Sequence, residues 1–285
     1  MGQKIKIAGV QMDPKIMEKE ENLEKCIELI RTTAKEDAKL IVFPECALLG
    51  YCYSSLEEAL PYAETILGPS TEKLIEVCRE LNVYVVIGLL EMDGDKYYNA
   101  VALIGSEGLV GKYRKLHLPY LGVDRFLNHG DLPLRIYETK IGRIGLGICY
   151  DVDFPEHSRV LAIKGADVVV LSTNWPEGVE FCPELIVPTR AIENHIFYVA
   201  VNRVGEERGF KFFGGSKIAN YSGISLAEGK KNEEDILYAD IDLSLAREKY
   251  MVVRPGELEI HYLNDRRPEF YATITDPLID TSRIR

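Results

Sequence analysis

Short apolar stretches alternate with amphipathic helical stretches along the whole chain, and this alternation limits the possible folds more than any other feature. Residues 40–43 are fully apolar, which is typical of a strand buried on both faces. Residues 23–30 carry apolar side chains every three or four positions, which predicts a helix with one buried stripe. Turn-forming residues at 93–95 and 106–108 separate three consecutive strands, as in hairpins. The chain is therefore predicted to be an α/β protein with mixed sheets.

The number of short strands exceeds what one open sheet holds comfortably, so we expect two stacked sheets with outer helices. No linker rich in Pro, Gly or Ser interrupts the 285 residues, which favours a single domain over 1–285. Leu243–Tyr250 reads as a helix. Residues 252–285 are polar and aromatic-rich without a period, which predicts a C-terminal arm at a subunit interface.

Composition excludes several classes of protein. With 34 Lys and Arg against 45 Asp and Glu, the net charge of −11 argues against a nucleic-acid surface. No stretch approaches the ~18–20 apolar residues of a membrane helix. The six cysteines lack paired spacing, which predicts reduced thiols and a cytoplasmic location. Five histidines without HExxH spacing and the absence of a GxxxxGK[ST] loop predict neither a metal nor a nucleotide cofactor.

Three reactive side chains stand at the ends of predicted strands, namely Glu45, Lys115 and Cys149. Strand ends and the loops after them are where α/β folds carry reactive groups. A thiol with an ordinary pKa of about 8.5 needs a base or a cation to become a nucleophile. Glu45 is suited to take the thiol proton, and Lys115 to stabilise an oxyanion together with the backbone N–H of Tyr150.

Each of these residues also has an inert interpretation. A Cys in an apolar strand is commonly a small hydrophobic residue, a lone Glu a helix cap, and a lone Lys a solvated loop residue. The hypothesis of a catalytic trio therefore depends on all three occurring together at strand ends.

Four segments in this order resemble the signature motifs of the nitrilase, or carbon–nitrogen hydrolase, superfamily. They are Phe43-Pro44-Glu45, residues 111–118, residues 147–151 and the later helix segment 188–194. The resemblance extends from about Lys4 to Ile241 and implies a four-layer αββα sandwich that pairs into homodimers or larger homo-oligomers.

The resemblance also implies a Glu–Lys–Cys triad, which falls on Glu45, Lys115 and Cys149. It assigns the general acid and base to Glu45, the oxyanion stabiliser to Lys115, and the nucleophile that forms a thioester to Cys149. Many members carry a second Glu some seven residues after the Lys. This chain has no Glu there, and Asp124 is the candidate for that supporting acid.

The residues after the nucleophile favour one reaction. In the true nitrilase branch of this superfamily, the nucleophile is usually followed by Trp-Glu, whereas in this chain it is followed by Tyr150-Asp151. The sequence therefore predicts an amidase that cleaves a small amide, R–CO–NH2, to a carboxylic acid and ammonia. Hydrolysis of N-carbamoyl compounds and of nitriles remain the alternatives.

Four further residues are candidates for substrate binding: Tyr51, Tyr53, Asn174 and Trp175. Asn174 and Trp175 follow a predicted strand at 167–171. Trp175 is the only Trp of the chain, and an exposed strand end is a poor place for a Trp that serves packing alone.

Other function classes stay open at this point. A Cys–His hydrolase that uses His157, a metal hydrolase, and an inactive family member that acts as a binding module are the rivals. His117, two residues after Lys115, is expected to hold its loop by a hydrogen bond.

Overall fold

Two six-stranded mixed sheets form most of the protein. The computed structural model describes residues 4–276. The chain divides into two compact units with the boundary between Glu248 and Lys249. The strands of the first sheet, numbered along the chain, are β1 (Lys4–Gln11), β2 (Ala38–Val42), β3 (Tyr84–Asp93), β4 (Lys96–Gly105), β5 (Gly108–Arg114) and β14 (Asp235–Asp242).

The first sheet has the strand order β14-β1-β2-β3-β4-β5. Strands β1, β2 and β3 are parallel, whereas β14 is antiparallel to β1, and β3 to β5 form an antiparallel meander. Two reversals bring β5 back to the direction of β3. The carboxyl ends of β2 and β5 therefore lie at the same edge of the sheet.

The second sheet repeats this plan, with the order β13-β12-β9-β8-β7-β6 from one edge to the other. Its central strands run parallel, and the flanking strands are antiparallel. Its strands are β6 (Ile136–Thr139), β7 (Gly142–Ile148), β8 (Val168–Thr173), β9 (Phe197–Asn202), β12 (Lys217–Ala219) and β13 (Ser225–Glu228), and a separate hairpin is formed by β10 (Val204–Glu207) and β11 (Phe210–Phe213).

Helices cover the outer faces of both sheets. Those of the larger unit are α1 (Lys19–Lys35), α2 (Leu56–Ala59), α3 (Pro69–Leu81), α4 (Pro155–Ile163) and α5 (Val187–Asn194). Short 3-10 turns span Leu60–Tyr62, Gly122–Phe126, Cys149–Asp153 and Leu243–Ala246, and a π-helical turn spans Cys182–Ile186. No helix among residues 4–276 is long and apolar enough to cross a membrane.

The strand period of two separates the core into layers. Leu40 and Val86 point to the second sheet and pack with Leu146, whereas the adjacent residues Ile41 and Val85 point to the layer of α1 and α3. Helices α4 and α5 pack on the far side of the second sheet. The predicted αββα sandwich with two stacked mixed sheets is confirmed.

The smaller unit contains a hairpin of β15 (Tyr250–Arg254) and β16 (Leu258–His261), followed by 3-10 turns at Pro268–Phe270 and Ala272–Thr275. The predicted helix over Leu243–Tyr250 is wrong, because the helical turn stops at Ala246 and Tyr250 begins β15. The β-branched pair within 250–254 favours a strand, and pairing with β16 outweighs the helical pattern before it. Part of the predicted arm, residues 277–285, lies outside the described residues.

Candidate active site

Glu45 lies in the turn that follows β2, pressed against β3. A Cβ atom on Gly88 of β3 would lie 2.4 Å from the backbone nitrogen of Cys46 and 2.6 Å from the carbonyl oxygen of Pro44. Only glycine leaves room for this close approach of the two backbones. The side chain of Glu45 is completely buried.

Lys115, directly after β5, joins two buried carboxylates. Its Nζ lies 2.6 Å from Glu45 Oε1 and 2.5 Å from Asp124 Oδ2, and all three side chains are withdrawn from solvent. Asn99 of β4 connects the same carboxylates, since its Nδ2 donates to Glu45 Oε1 at 2.6 Å and to Asp124 Oδ1 at 2.8 Å. The backbone carbonyl oxygen of Asn99 also accepts a hydrogen bond from the backbone N–H of Lys115 at 2.8 Å. The four side chains thus form one closed hydrogen-bonded cluster.

A second layer of contacts fixes Asp124. The hydroxyl of Tyr51 donates to Asp124 Oδ2 at 2.8 Å. The backbone of Tyr51 is held in turn by the buried Glu207, which accepts its N–H at 2.7 Å and pairs with Arg203 at 2.5 Å. The hydroxyl of Tyr51, a residue predicted to touch substrate, is therefore already bound to Asp124, the predicted supporting acid.

Cys149 stands at the end of β7, where the chain turns sharply. It is 7% exposed and has a φ of +45°, a left-handed conformation that non-glycine residues adopt rarely. The parallel register of β7 and β8 puts it beside Thr173. Arg190 of α5 holds the following turn by donating to the carbonyl oxygens of Val152 at 2.9 Å and Asp153 at 3.2 Å.

Burial sets the electrostatics of the three groups. Desolvation raises the pKa of Glu45, and the charge of Asp124 adds to this while Lys115 opposes it. Desolvation also raises the pKa of the Cys149 thiol well above its usual range, reinforced by Glu45 and opposed by Lys115. For Lys115, burial alone lowers the pKa, but Asp124 and Glu45 outweigh it and the pKa lies well above the usual value. Burial therefore favours the neutral form of the thiol, the two carboxylates favour the ammonium form of Lys115, and the carboxylate of Glu45 is more basic than usual.

Several buried side chains in this region retain polar atoms without a hydrogen-bond partner among residues 4–276. They include Glu45, at Oε2, and Asn174, at both Oδ1 and Nδ2. A buried polar group left unpaired costs about 1–3 kcal/mol, so such groups in a native protein call for an explanation. One explanation is that these atoms form their hydrogen bonds only when substrate is bound.

The structure does not bring every predicted residue to this cluster. Tyr53 is buried, and its hydroxyl donates to the carbonyl oxygen of Leu49 at 2.6 Å. Trp175 is only 3% exposed and pairs through its backbone with the side chain of Asn202, so the expected exposed strand end is wrong. Tyr150, whose N–H is the predicted oxyanion donor, directly follows Cys149 and is 36% exposed. The substrate-binding roles stay predictions.

Sequence reasoning misses Asn99. Its signal is a polar amide next to the apolar run 100–104 in a strand that is buried throughout its second half. Such a side chain needs a partner, but the partners lie 54 and 25 residues away. Within the described range, no group of His, Cys, Asp and Glu residues is arranged to hold a metal ion.

Comparison with known proteins identifies the family. The carbon–nitrogen hydrolase family model matches residues 6–250. The chain belongs to the carbon–nitrogen hydrolase family. This carbon–nitrogen hydrolase is 40% identical to a protein named nitrilase from Pyrococcus abyssi, over 94% of the chain and 99% of the relative. It is 32% identical to omega-amidase NIT2 from Homo sapiens, over 88% and 94%.

A solved structure agrees with the fold of this carbon–nitrogen hydrolase. An amidase from Nesterenkonia sp. AN1 superposes with a TM-score of 0.78, covering 94% of this chain and 96% of the other, at 23% identity. That structure is of a variant with an acetamide moiety attached covalently to its active-site cysteine. The family and the αββα fold predicted from the sequence motifs are confirmed.

Proposed function

We propose that this enzyme hydrolyses a small linear amide to a carboxylic acid and ammonia through a thioester on Cys149. The observation that carries the proposal is the arrangement around Lys115. Its ammonium group lies 2.6 Å from Glu45, and the second carboxylate oxygen of Glu45 has no partner within residues 4–276. An uncommitted carboxylate oxygen in a buried site is suited to accept a proton from a thiol.

In the first half of the reaction, Glu45 accepts the thiol proton and the sulfur attacks the amide carbonyl carbon. The C=O electron pair moves onto oxygen, where Lys115 and the N–H of Tyr150 stabilise the negative charge. The tetrahedral intermediate collapses, the C–N bond breaks, and Glu45 returns the proton to the nitrogen. Ammonia leaves and Cys149 is left as a thioester.

In the second half, Glu45 takes a proton from water, and the resulting hydroxide attacks the thioester carbonyl. The C–S bond breaks, the thiolate recovers its proton, and the carboxylic acid departs. Asp124 does not exchange protons in this scheme. It neutralises Lys115 together with Glu45, which allows one carboxylate to act as base while the other keeps the ammonium in place.

The choice of amide rests on several supports. The residues after the nucleophile are Tyr150-Asp151, a relative at 32% identity is named an omega-amidase, and a variant of the Nesterenkonia amidase carries the acetamide moiety of fluoroacetamide covalently attached to its active-site cysteine. Nitriles are the second candidate, because the Pyrococcus relative is named a nitrilase. N-carbamoyl compounds are the third, because a Francisella relative at 30% identity is named citrullinase.

A substrate panel separates these candidates. Aliphatic amides, ω-amides of dicarboxylates, N-carbamoyl amino acids and nitriles are compared by ammonia release. The proposal predicts the highest kcat/KM for one of the two amide classes. A preference for nitriles or N-carbamoyl compounds would contradict it.

Cysteine labelling and one substitution address the other rivals. Iodoacetamide is expected to modify Cys149 rapidly and other cysteines slowly, with protection by substrate; uniform slow labelling indicates a binding module. His157 is 1% exposed beneath Gly147, and burial lowers its pKa, which suits a packed neutral ring. His157→Ala therefore retains the mechanism, whereas a Cys–His hydrolase would lose it.

We further propose that the enzyme is a homodimer or a larger homo-oligomer in the cytoplasm. Exposed apolar side chains occur on the helices and turns beside the second sheet and at its edge strand: Ile163, Leu185, Ile192, Ile224 and Leu226. A patch of this kind favours association, and the arm at 252–285 is the second candidate contact. All six cysteines are free, which suits a reducing compartment. Sedimentation at micromolar concentration tests the assembly, and a strict monomer would contradict it.

A further inference from the structure

The carboxylate of Asp151 is a junction between the segment that carries Lys115 and the turn that carries Cys149. Asp151 is completely buried. Its Oδ2 accepts from the hydroxyl of Tyr113 at 2.8 Å and from the N–H of Ile148 at 2.9 Å. Its Oδ1 accepts from the N–H of His117 at 3.2 Å and lies 2.7 Å from His117 Nδ1. Four contacts from two parts of the chain therefore meet on one side chain.

The partners of Asp151 bracket the reactive residues in sequence. Tyr113 and His117 stand two residues before and two residues after Lys115. In the segment that carries Cys149, the N–H of Ile148 donates to Asp151 and closes the turn across Cys149. The same carboxylate thus binds residues on both sides of Lys115 and, through Ile148, connects the two ends of the turn that contains Cys149.

The turn at Cys149 needs such support. A non-glycine residue at a φ of +45° persists only when its surroundings determine the conformation. The ring of His117 adds a second connection, because it stacks on Phe154, just beyond the turn, with ring centroids 3.6 Å apart. The hydrogen bond predicted for His117 therefore reaches the nucleophile turn and not its own loop alone.

We propose that Asp151 is a positioning residue that sets the placement of Lys115 relative to the Cys149 thiol. It does so through its hydrogen bonds with Tyr113 and His117. This inference rests on the proposed function, because Lys115 and Cys149 matter only if they act together. Asp151 touches neither reacting group in this scheme. Its loss is therefore expected to lower the rate of the chemical step more than the binding of substrate.

A matched pair of tyrosines tests the hydrogen bond between Tyr113 and Asp151. Tyr84 of β3 resembles Tyr113 in donating its hydroxyl to a carboxylate, Glu107, at 2.8 Å and in accepting a backbone N–H, from Lys140, at 3.2 Å. Tyr113→Phe is expected to lower kcat about tenfold with KM within about twofold, whereas Tyr84→Phe leaves both within about twofold. Equal effects of the two substitutions on kcat would overturn the proposal.

Asp151→Asn and two variants of His117 test the junction itself. The amide of Asp151→Asn turns an NH2 group toward donors, so kcat is expected to fall about 100-fold. His117→Ala lowers kcat, and His117→Asn, which keeps a donor near the position of Nδ1, restores most of it. A merely structural role predicts no such rescue. Either a normal kcat for His117→Ala, or a folded His117→Asn variant that is no faster than His117→Ala, would overturn the assignment.

The rate of Cys149 alkylation by iodoacetamide separates this inference from the proposed function. If the wild-type enzyme hydrolyses no amide of the panel, the proposed function fails. The alkylation rate still reports on the thiol. It is expected to fall at least about fivefold in Asp151→Asn and to stay within about twofold in Tyr84→Phe. Unchanged alkylation together with unchanged kcat in Asp151→Asn, with a native circular dichroism spectrum, refutes the positioning role.

Discussion

Two consecutive buried residues, Arg114 and Lys115, each anchor an ion-pair cluster around a buried glutamate. Arg114 donates to both oxygens of the buried Glu91 at 2.8 Å, and also to Asp93 at 2.6 Å and Asp131 at 2.8 Å. Both oxygens of Glu91 are bound by Nε and Nη2 of Arg114, in the fork geometry suited to arginine. Lys115 pairs with Glu45 as closely, yet the second oxygen of Glu45 has no partner in the described part of the chain.

Three acids of the two clusters differ in the direction of their pKa shifts. Hydrogen bonds from Arg114 lower the pKa of Asp93 and of Asp131. Burial raises the pKa of Glu45 in spite of Lys115. Glu45 is therefore the more basic acid, and it retains an oxygen without a partner among residues 4–276. We propose that the Arg114 cluster stabilises the fold and that the Lys115 cluster takes part in the reaction.

The largest expected effect separates the two clusters by activity. Glu45→Gln is expected to reduce kcat about 10²–10⁴-fold, because the amide cannot take the thiol proton. Glu91→Gln, the same change in the other cluster, leaves kcat of the folded enzyme within about twofold. Steady-state ammonia release measures both.

A native circular dichroism spectrum of Glu45→Gln is the necessary control. Comparable losses of kcat in the two Gln variants would show that the clusters are not functionally distinct.

The Arg114 cluster is expected to matter for the stability of the protein. Arg114→Met leaves Glu91 buried without its main partner and is expected to lower the free energy of unfolding by about 3–5 kcal/mol. The midpoint of urea denaturation measures this loss. A change below about 1 kcal/mol would mean that the Arg114 cluster does not hold the fold.

Acid pH is expected to stop the reaction before it unfolds the protein. Because the pKa of Glu45 is raised, its carboxylate is lost at a pH above the ordinary value of about 4.3. The lowered pKa values of Asp93 and Asp131 mean that their stabilising charge is present above the unfolded value of about 3.9 and is lost only as pH falls through the lower folded values. Profiles of kcat/KM and circular dichroism against pH test this order, and coincident transitions would contradict it.

The smallest expected effect compares two neighbouring tyrosines. Tyr51→Phe removes the hydroxyl that donates to Asp124, whereas Tyr53→Phe removes one that donates to a backbone carbonyl outside the cluster. Tyr51→Phe is expected to lower kcat about fivefold, equivalent to ~1 kcal/mol, and Tyr53→Phe to leave it within about twofold. The reverse order would show that Tyr53, and not Tyr51, supports the site.

The sequence predicts those parts of the site that are marked by a local pattern. Glu45, Lys115 and Cys149 each end an apolar strand, and the motifs around them identify the family. Asn99 and the junction at Asp151 are different, because their meaning depends on residues brought close by strand pairing. A local sequence pattern does not show which distant residues the fold brings into contact.

The same limit explains the errors in the fold. The apolar alternation predicts both sheets, since burial on one or two faces leaves a period in the sequence. The pattern at 243–250 is helical, but the pairing of Tyr250 with His261 determines a strand there. Trp175 was expected at an exposed strand end, and packing of the surrounding core buries it instead.

Trapping of the acyl-enzyme tests the central claim most directly. The enzyme is mixed with a reactive amide, quenched in acid within milliseconds to seconds, and analysed by intact mass and peptide mapping. The account predicts one acyl group per chain, on Cys149, that disappears as ammonia release is completed and is absent in Cys149→Ala. Turnover at the normal rate in Cys149→Ala, or an acyl group mapped to another cysteine, would contradict it.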